Sequence, residues 1–257
     1  MSGIVGIVNL DGAPIDRGLL RHMTDYLAFR GPDAQEIWSG GSVGFGHTLL
    51  RTTFESEQEN QPANLDERLW ITADARIDSR AELVARLRDH GELCSFSDPD
   101  CWLILHAYRA WGEACVEHLL GDFSFAIWDE RNRHLFCARD HFGVRPFFYA
   151  QVGDCFVFSN TLDCVRIHPA VSDELNELAI ADYLLFDGNQ EVDTTIFSEI
   201  RRLPAAHFLS LRNGSPCVRR YWTLPVERPL KFKTKSECVE RFLELLDTAV
   251  SDRLRTK

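Results

Sequence analysis

The chain has 257 residues, 45% hydrophobic and 26% charged, and carries 28 Lys+Arg against 39 Asp+Glu for a formal net charge of −11. This is globular composition, and 17 Phe with 6 Trp exclude intrinsic disorder. The acidic balance excludes broad phosphate-backbone binding, and without an apolar run of the ~20 residues a bilayer span requires, neither nucleic acid nor membrane is expected as a partner.

Residues 2–10 alternate around small glycines and predict a buried strand at the N-terminus. In 16–29, Leu19, Leu20, Met23, Leu27 and Phe29 recur at helical spacing, and the helix should end before Gly31-Pro32. Segments 42–50 and 69–75 read as strands. Ser79-Arg80-Ala81-Glu82 reads as a capping box opening a helix to about His90. Asp98-Pro99 reads as an N-cap followed by proline at the first helical position, for a helix running to Gly112. From Asp122, Phe123, Phe125 and Ile127 alternate with Ser124, Ala126 and Trp128; strands follow at 135–139, 147–151 and 155–159. A helix near 175–186 precedes a hairpin turning at Asn213-Gly214. Strands lying between runs of helix argue an α+β domain of stacked sheets with flanking helices.

Past Pro229 the character changes. The short basic cluster of Lys231, Lys233 and Lys235 reads as a solvated linker, and Thr234-Lys235-Ser236-Glu237 is a second capping box. Val239, Phe242, Leu245, Leu246, Ala249, Val250 and Leu254 then form one apolar stripe. Residues 1–225 are expected to form one domain, and 226–257 a linker and the first helix of another, with part of that stripe left exposed. No basic n-region precedes Asp11, so no signal peptide is expected and the protein is placed in the cytoplasm. The eight cysteines lack any C-x-x-C or paired-His spacing; they read as reduced thiols, and no metal site is expected.

Several segments share an order and spacing with a known family: Met1-Ser2-Gly3-Ile4-Val5-Gly6-Ile7, Arg30-Gly31-Pro32-Asp33, Gly46-His47, Gln61-Pro62 and Asp122 to Asp129. Further on come Ala138-Arg139-Asp140-His141-Phe142-Gly143-Val144-Arg145-Pro146, Ile196-Phe197, Leu203-Pro204 and Arg220-Tyr221-Trp222. Together they resemble the N-terminal glutaminase domain of the asparagine synthetase family, the class II glutamine amidotransferases. The resemblance implies a four-layer αββα sandwich of the N-terminal-nucleophile (Ntn) hydrolase type. It also implies glutamine or a related amide as ligand, a C-terminal synthetase domain as partner, and a homodimer. ATP and Mg are implied for that synthetase domain, through a Ser-Gly-Gly-x-Asp-Ser loop, and no cofactor for this chain. Ser39-Gly40-Gly41-Ser42 lacks the following Asp-Ser and reads as a turn.

The site residues follow from the same resemblance. In an Ntn hydrolase Met1 is removed and residue 2 attacks, its own α-amine, with a pKa near 8, serving as base. The family has cysteine there; this chain has Ser2, a weaker nucleophile, and an engineered change that traps substrate would read the same way. The family's oxyanion hole is an Asn side chain and the next Gly; here the positions hold Asp74 and Ala75. Ionised Asp offers only acceptors, and loss of one oxyanion donor costs about 10²–10³ in rate. The arginine that clamps the substrate carboxylate is replaced by Leu49, leaving Arg51 two residues on as a replacement on the same strand face. Asp98 is retained to hold the substrate amine, compatibly with its capping role. Arg30 and Asp33 are expected to fix the loop beneath the site, and His47, His106 and His141 to be structural. Glutaminase activity is therefore expected to be weak or lost. Two alternatives stand beside this reading: a non-catalytic structural module of a lasso-peptide or β-lactam-type macrolactam or amide synthetase, and an Ntn acylase using Ser2 on another amide.

Overall fold

The computed structural model describes residues 1–226 and 230–256; residues 227–229 of the expected linker, and Lys257, lie outside them. The strands are β1 (Gly3–Asn9), β2 (Ala34–Gly40), β3 (Val43–Leu49), β4 (Ala63–Asn64), β5 (Leu69–Ile77) and β6 (Gly121–Asp129), followed by β7 (His134–Arg139), β8 (Phe148–Val152), β9 (Cys155–Ser159), β10 (Arg201–Arg202), β11 (His207–Arg212) and β12 (Ser215–Arg220). The helices are α1 (Arg17–Tyr26), α2 (Arg80–Asp89), α3 (Asp100–Trp111), α4 (Leu162–Arg166), α5 (Glu177–Phe186) and α6 (Lys235–Arg253). Antiparallel pairing orders the strands into two six-stranded sheets, β10-β8-β9-β1-β3-β2 and β12-β11-β7-β6-β5-β4.

Three cores separate four layers. Leu20 and Met23 of α1, with Cys164 and Val165 of α4, cover one face of the first sheet. Phe45, Phe147, Phe156 and Phe158 meet Ala126, Trp128 and Leu135 between the sheets. Leu83 and Leu87 of α2, with Leu103 and Ile104 of α3, cover the outer face of the second sheet. At one edge Trp38 of β2 stacks on Trp70 of β5, ring centroids 4.2 Å apart and planes 17° from parallel, joining one sheet to the other. The layering is the expected αββα sandwich.

The period of two along a strand decides which residues reach the site. In β6, Phe123, Phe125 and Ile127 enter the helix-side core while Ala126 and Trp128 face the other sheet. In β5, Ile71, Ala73 and Ile77 enter the helix-side core, so Trp70, Thr72 and Asp74 face the first sheet.

Local chemistry departs from expectation at two helix starts. Asp98 does not cap α3: Pro99 holds the N-cap position, and Asp98 Oδ2 accepts the Ser95 N–H at 2.7 Å, closing a loop upstream of the helix. Ser79 has φ +49° and its hydroxyl meets Glu82 Oε2 at 3.3 Å, so it supplies no side-chain bond to the backbone of α2. Thr234 does cap α6, accepting the Glu237 N–H at 3.2 Å. The Asn213-Gly214 hairpin has both residues at positive φ, +52° and +81°, as a type I′ turn requires. Ser39-Gly40-Gly41-Ser42 lies at the β2–β3 turn, with Gly40 paired to Val43. Val239, Phe242, Leu246, Ala249 and Val250 of α6 are all exposed. No helix among the described residues is long and apolar enough to cross a membrane.

Candidate active site

Ser2 stands one residue ahead of β1, a strand flanked on both sides by β3 and β9, and is buried. Every polar group of the residue is engaged. Its carbonyl accepts from Asn160 Nδ2 at 2.8 Å and Arg30 Nε at 3.2 Å, its Oγ accepts the Leu50 N–H at 3.2 Å, and its own N–H donates to Asp74 Oδ1 at 3.1 Å. Asn160 follows β9 and also accepts the Ile4 N–H through Oδ1 at 3.1 Å, so one amide holds both sides of the chain start. The Arg30 loop lies against β3 because residue 31 is glycine: a Cβ there would sit 2.3 Å from the Thr48 backbone.

Asp74 reaches this point from the opposite sheet and is buried between the two. Burial pushes its carboxyl above the usual range, opposed by Arg145, the chain's amino terminus and Arg30. Arg145 Nη1 and Arg30 Nη2 stand 3.6 and 3.7 Å from Oδ2, and Asn160 Nδ2 3.4 Å. The site is thus one carboxylate within a ring of donors, with the Ser2 nitrogen as its shortest contact. Gln61 secures the strand beneath it, its amide exchanging two hydrogen bonds with the Ala73 backbone at 2.7 and 3.0 Å. Glu59 sits beside Gln61; burial raises its pKa to about 7, the Gln61 hydrogen bond opposing and the charges of Asp100 and Asp74 adding.

The structure brings Ser2 and Asp74 together and places the other expected residues differently. The Ala75 methyl packs against the helix-side core, away from Ser2, so residue 75 offers the site only backbone. Arg51 ties its own loop: its N–H donates to Asp33 Oδ2 at 2.7 Å, Nη1 to the Asp33 carbonyl at 3.2 Å and Nε to the Ser56 carbonyl at 3.1 Å. Among the described residues no hydrogen bond or ion pair joins the side chains of Arg51 or Asp98 to Ser2 or Asp74. Asp33 fixes the loop as expected, whereas Arg30 does more, touching both Ser2 and Asp74. His47 is a buried structural residue facing Thr72 Oγ1 at 3.1 Å, and His106 faces Glu92 at 2.6 Å. Sequence reasoning missed Asn160, Glu59 and the role of Gln61. A polar residue directly after a buried strand was the one signal for Asn160.

Residues 1–222 match the sequence profile of a family described as the glutamine amidotransferase domain. The chain belongs to this family. Two glutamine-hydrolyzing asparagine synthetases are among its relatives. Asparagine synthetase 3 of Bacillus subtilis (strain 168) is 31% identical over 232 residues, 89% of this chain and 38% of that protein. A putative asparagine synthetase 2 of Methanocaldococcus jannaschii is 29% identical over 276 residues, 100% of this chain and 53% of that one. The chain therefore spans between about a third and a half of these relatives' lengths. Among solved structures, the glutamine phosphoribosylpyrophosphate amidotransferase of B. subtilis, complexed with ADP and GMP, shares the fold with a TM-score of 0.59 at 14% identity, over 86% of this chain and 49% of that one. In this amidotransferase domain residue 2 is buried ahead of β1 of the αββα sandwich, and a carboxylate faces that residue's nitrogen.

Proposed function

We propose that this chain is the N-terminal glutaminase-like domain of an asparagine synthetase-type, ATP-dependent amide ligase, and that its own hydrolysis of glutamine is weak or lost. The observation that carries the reading is the 3.1 Å contact between Ser2 N and Asp74 Oδ1. With Met1 removed, that nitrogen becomes the α-amine that must act as base. A carboxylate within hydrogen-bond reach favours the ammonium form, which holds no lone pair to take the Ser2 proton. The same carboxylate repels the negative charge that develops on a substrate oxygen beside Ser2. Base, nucleophile and oxyanion site are each weakened, two of them by Asp74.

The domain's remaining role is positional. The exposed α6 stripe supports a further domain packing there, and ATP and Mg are assigned to that domain. Within this chain the Ser39-Gly40-Gly41-Ser42 segment does not fit a nucleotide, its residues being taken up by hairpin pairing. The test is ammonia release from glutamine by the wild-type domain, with removal of Met1 verified by intact mass. The expected rate is barely above background, and brisk release would overturn the reading.

A further inference from the structure

Helix α6 has no buried residue, yet it is not loose. The hydrogen bonds and ion pairs joining it to the sandwich gather in 252–255, its last turn and the residues just beyond. Arg76 Nη2 donates to the carbonyls of Arg253 and Arg255 at 2.8 and 2.9 Å, supplying the cation and donors that a helix C-terminus lacks. Asp252 Oδ2 accepts the Ser79 N–H at 3.1 Å. Arg253 reaches Asp78 at 2.7 Å and Asp122 at 3.0 Å. Arg255 reaches Asp100 Oδ2 and the Ile77 carbonyl, both at 3.1 Å, and Glu55 Oε2 at 3.3 Å. Arg80, paired with Asp100, completes the cluster.

Two features distinguish this cluster from an ordinary surface ion pair. First, it contacts both walls around Ser2. Arg76 lies two residues from Asp74 on β5, its carbonyl so close to β6 that a Cβ at Gly121 would sit 2.1 Å away. Glu55 opens the 3₁₀ turn Glu55–Gln58, whose Ser56 carbonyl holds Arg51, next to the Leu50 N–H that contacts Ser2 Oγ. Second, its four arginines face five carboxylates, and its hydrogen bonds are incomplete. Glu55 Oε2 and Arg255 Nη1 meet each other only as an ion pair at 3.3 Å, and among the described residues Arg76 Nε, Asp78 Oδ1 and Arg80 Nε are buried without a hydrogen-bond partner. With Arg253 exposed and Asp252 and Arg255 half-buried, an ionic network that is only partly satisfied recovers little of its desolvation cost and separates more easily than a complete, enclosed one.

We propose that Arg253-Leu254-Arg255 is a releasable latch: its two guanidinium groups dock in an acidic cleft of Glu55, Asp78, Asp100 and Asp122, and displacement of α6 loosens both walls of the Ser2 site together. The cleft recognises a segment with arginines two residues apart, here supplied by the chain itself. The coupling holds whether or not Ser2 is catalytic.

Hydrogen exchange on the full chain tests this. In Arg253→Ala/Arg255→Ala, peptides covering 51–59 and 74–79 should exchange faster by on the order of tenfold or more, the scale of losing a charge-assisted hydrogen bond. Peptides from β9 should be unchanged. Arg253→Lys/Arg255→Lys, which keeps charge and loses the forked contacts, should show a smaller rise, and it carries the comparison if the alanine pair does not fold. The swap Asp78→Arg with Arg253→Asp should restore protection lost in Arg253→Asp alone. Faster exchange confined to α6, with 51–59 and 74–79 as protected as in the wild type, would overturn the latch.

Discussion

Asp74 accepts the Ser2 N–H at 3.1 Å across the gap between the two sheets, tying a side chain of β5 to the residue that precedes β1. The contact places a carboxylate against the nitrogen on which an N-terminal nucleophile depends.

Restoring a thiol alone should not restore glutaminase activity. Ser2→Cys should leave ammonia release low, and adding Asp74→Asn should raise turnover at saturating glutamine by a further factor on the order of 10², the worth of one oxyanion donor. Ala75→Gly should add little, because the alanine methyl lies in the helix-side core and the backbone N–H is present in either residue. Brisk hydrolysis by Ser2→Cys alone would place the defect at residue 2 only.

The pH–rate profile should separate the two effects of Asp74. In the Ser2→Cys background, with Met1 removed, the carboxylate stabilises the α-ammonium, against burial and the Arg145 and Arg30 charges, which lower the pKa of the chain's amino terminus. Asp74→Asn removes that stabilisation while Arg30 and Arg145 remain, so the rising limb should move to lower pH. An unchanged limb would mean that the nitrogen and the carboxylate part company once Met1 is gone.

Acid should destabilise the domain through its buried histidines. Burial pushes His47 from 6.5 down to about 3 and, with the Arg212 charge adding, His134 to about 4. Below pH 6.5 the unfolded chain binds protons that the folded one refuses, so stability falls as pH drops through that window, by up to ~1.4 kcal/mol per pH unit for each histidine. Glu59 has the opposite sign. Its pKa is raised from 4.5 to about 7, so its stabilisation is full below pH 4.5 and lost as pH rises to about 7. Urea midpoints across this range should show a shallower acid loss in His47→Gln, and in Glu59→Gln a gain at neutral pH that disappears near pH 4.5.

Asn160 holds the chain start from both sides. Asn160→Ala leaves the Ser2 carbonyl short of a donor and the Ile4 N–H unpaired in a buried setting, which should cost about 1–3 kcal/mol. Chemical denaturation gives the size, and faster hydrogen exchange at Ile4 against unchanged exchange in β6 gives the location.

The layers were legible in the sequence because alternation is strict where strands are buried on both faces: Phe123, Phe125 and Ile127 on one side, Ala126 and Trp128 on the other. Edge elements were not. Strand β2 is half-exposed along most of its length and carries no alternation to find, and β4 and β10 are two residues each. At the site, Ser2 and Asp74 were found from motif positions. The Asp98 cap failed because a short polar side chain serves a loop N–H as well as a helix N–H, and sequence does not rank the two. Asn160 acts through contacts with residues distant in the chain, for which no local pattern exists, and Glu59, though bonded to nearby Gln61, owes its raised pKa to burial that only the fold creates. The clustering of Arg76, Asp78, Arg253 and Arg255 has the same character, since each taken alone reads as a solvated surface charge.

The Trp38–Trp70 stack gives the sandwich an optical handle on its own thickness. The two indoles belong to different sheets and sit 4.2 Å apart, close enough for their excited states to couple. Their near-ultraviolet circular dichroism should therefore contain a paired band that vanishes when either tryptophan is replaced by phenylalanine. Because the coupling depends steeply on separation and angle, a sub-ångström parting of the sheets would register in that band while the backbone signal of the strands stayed constant.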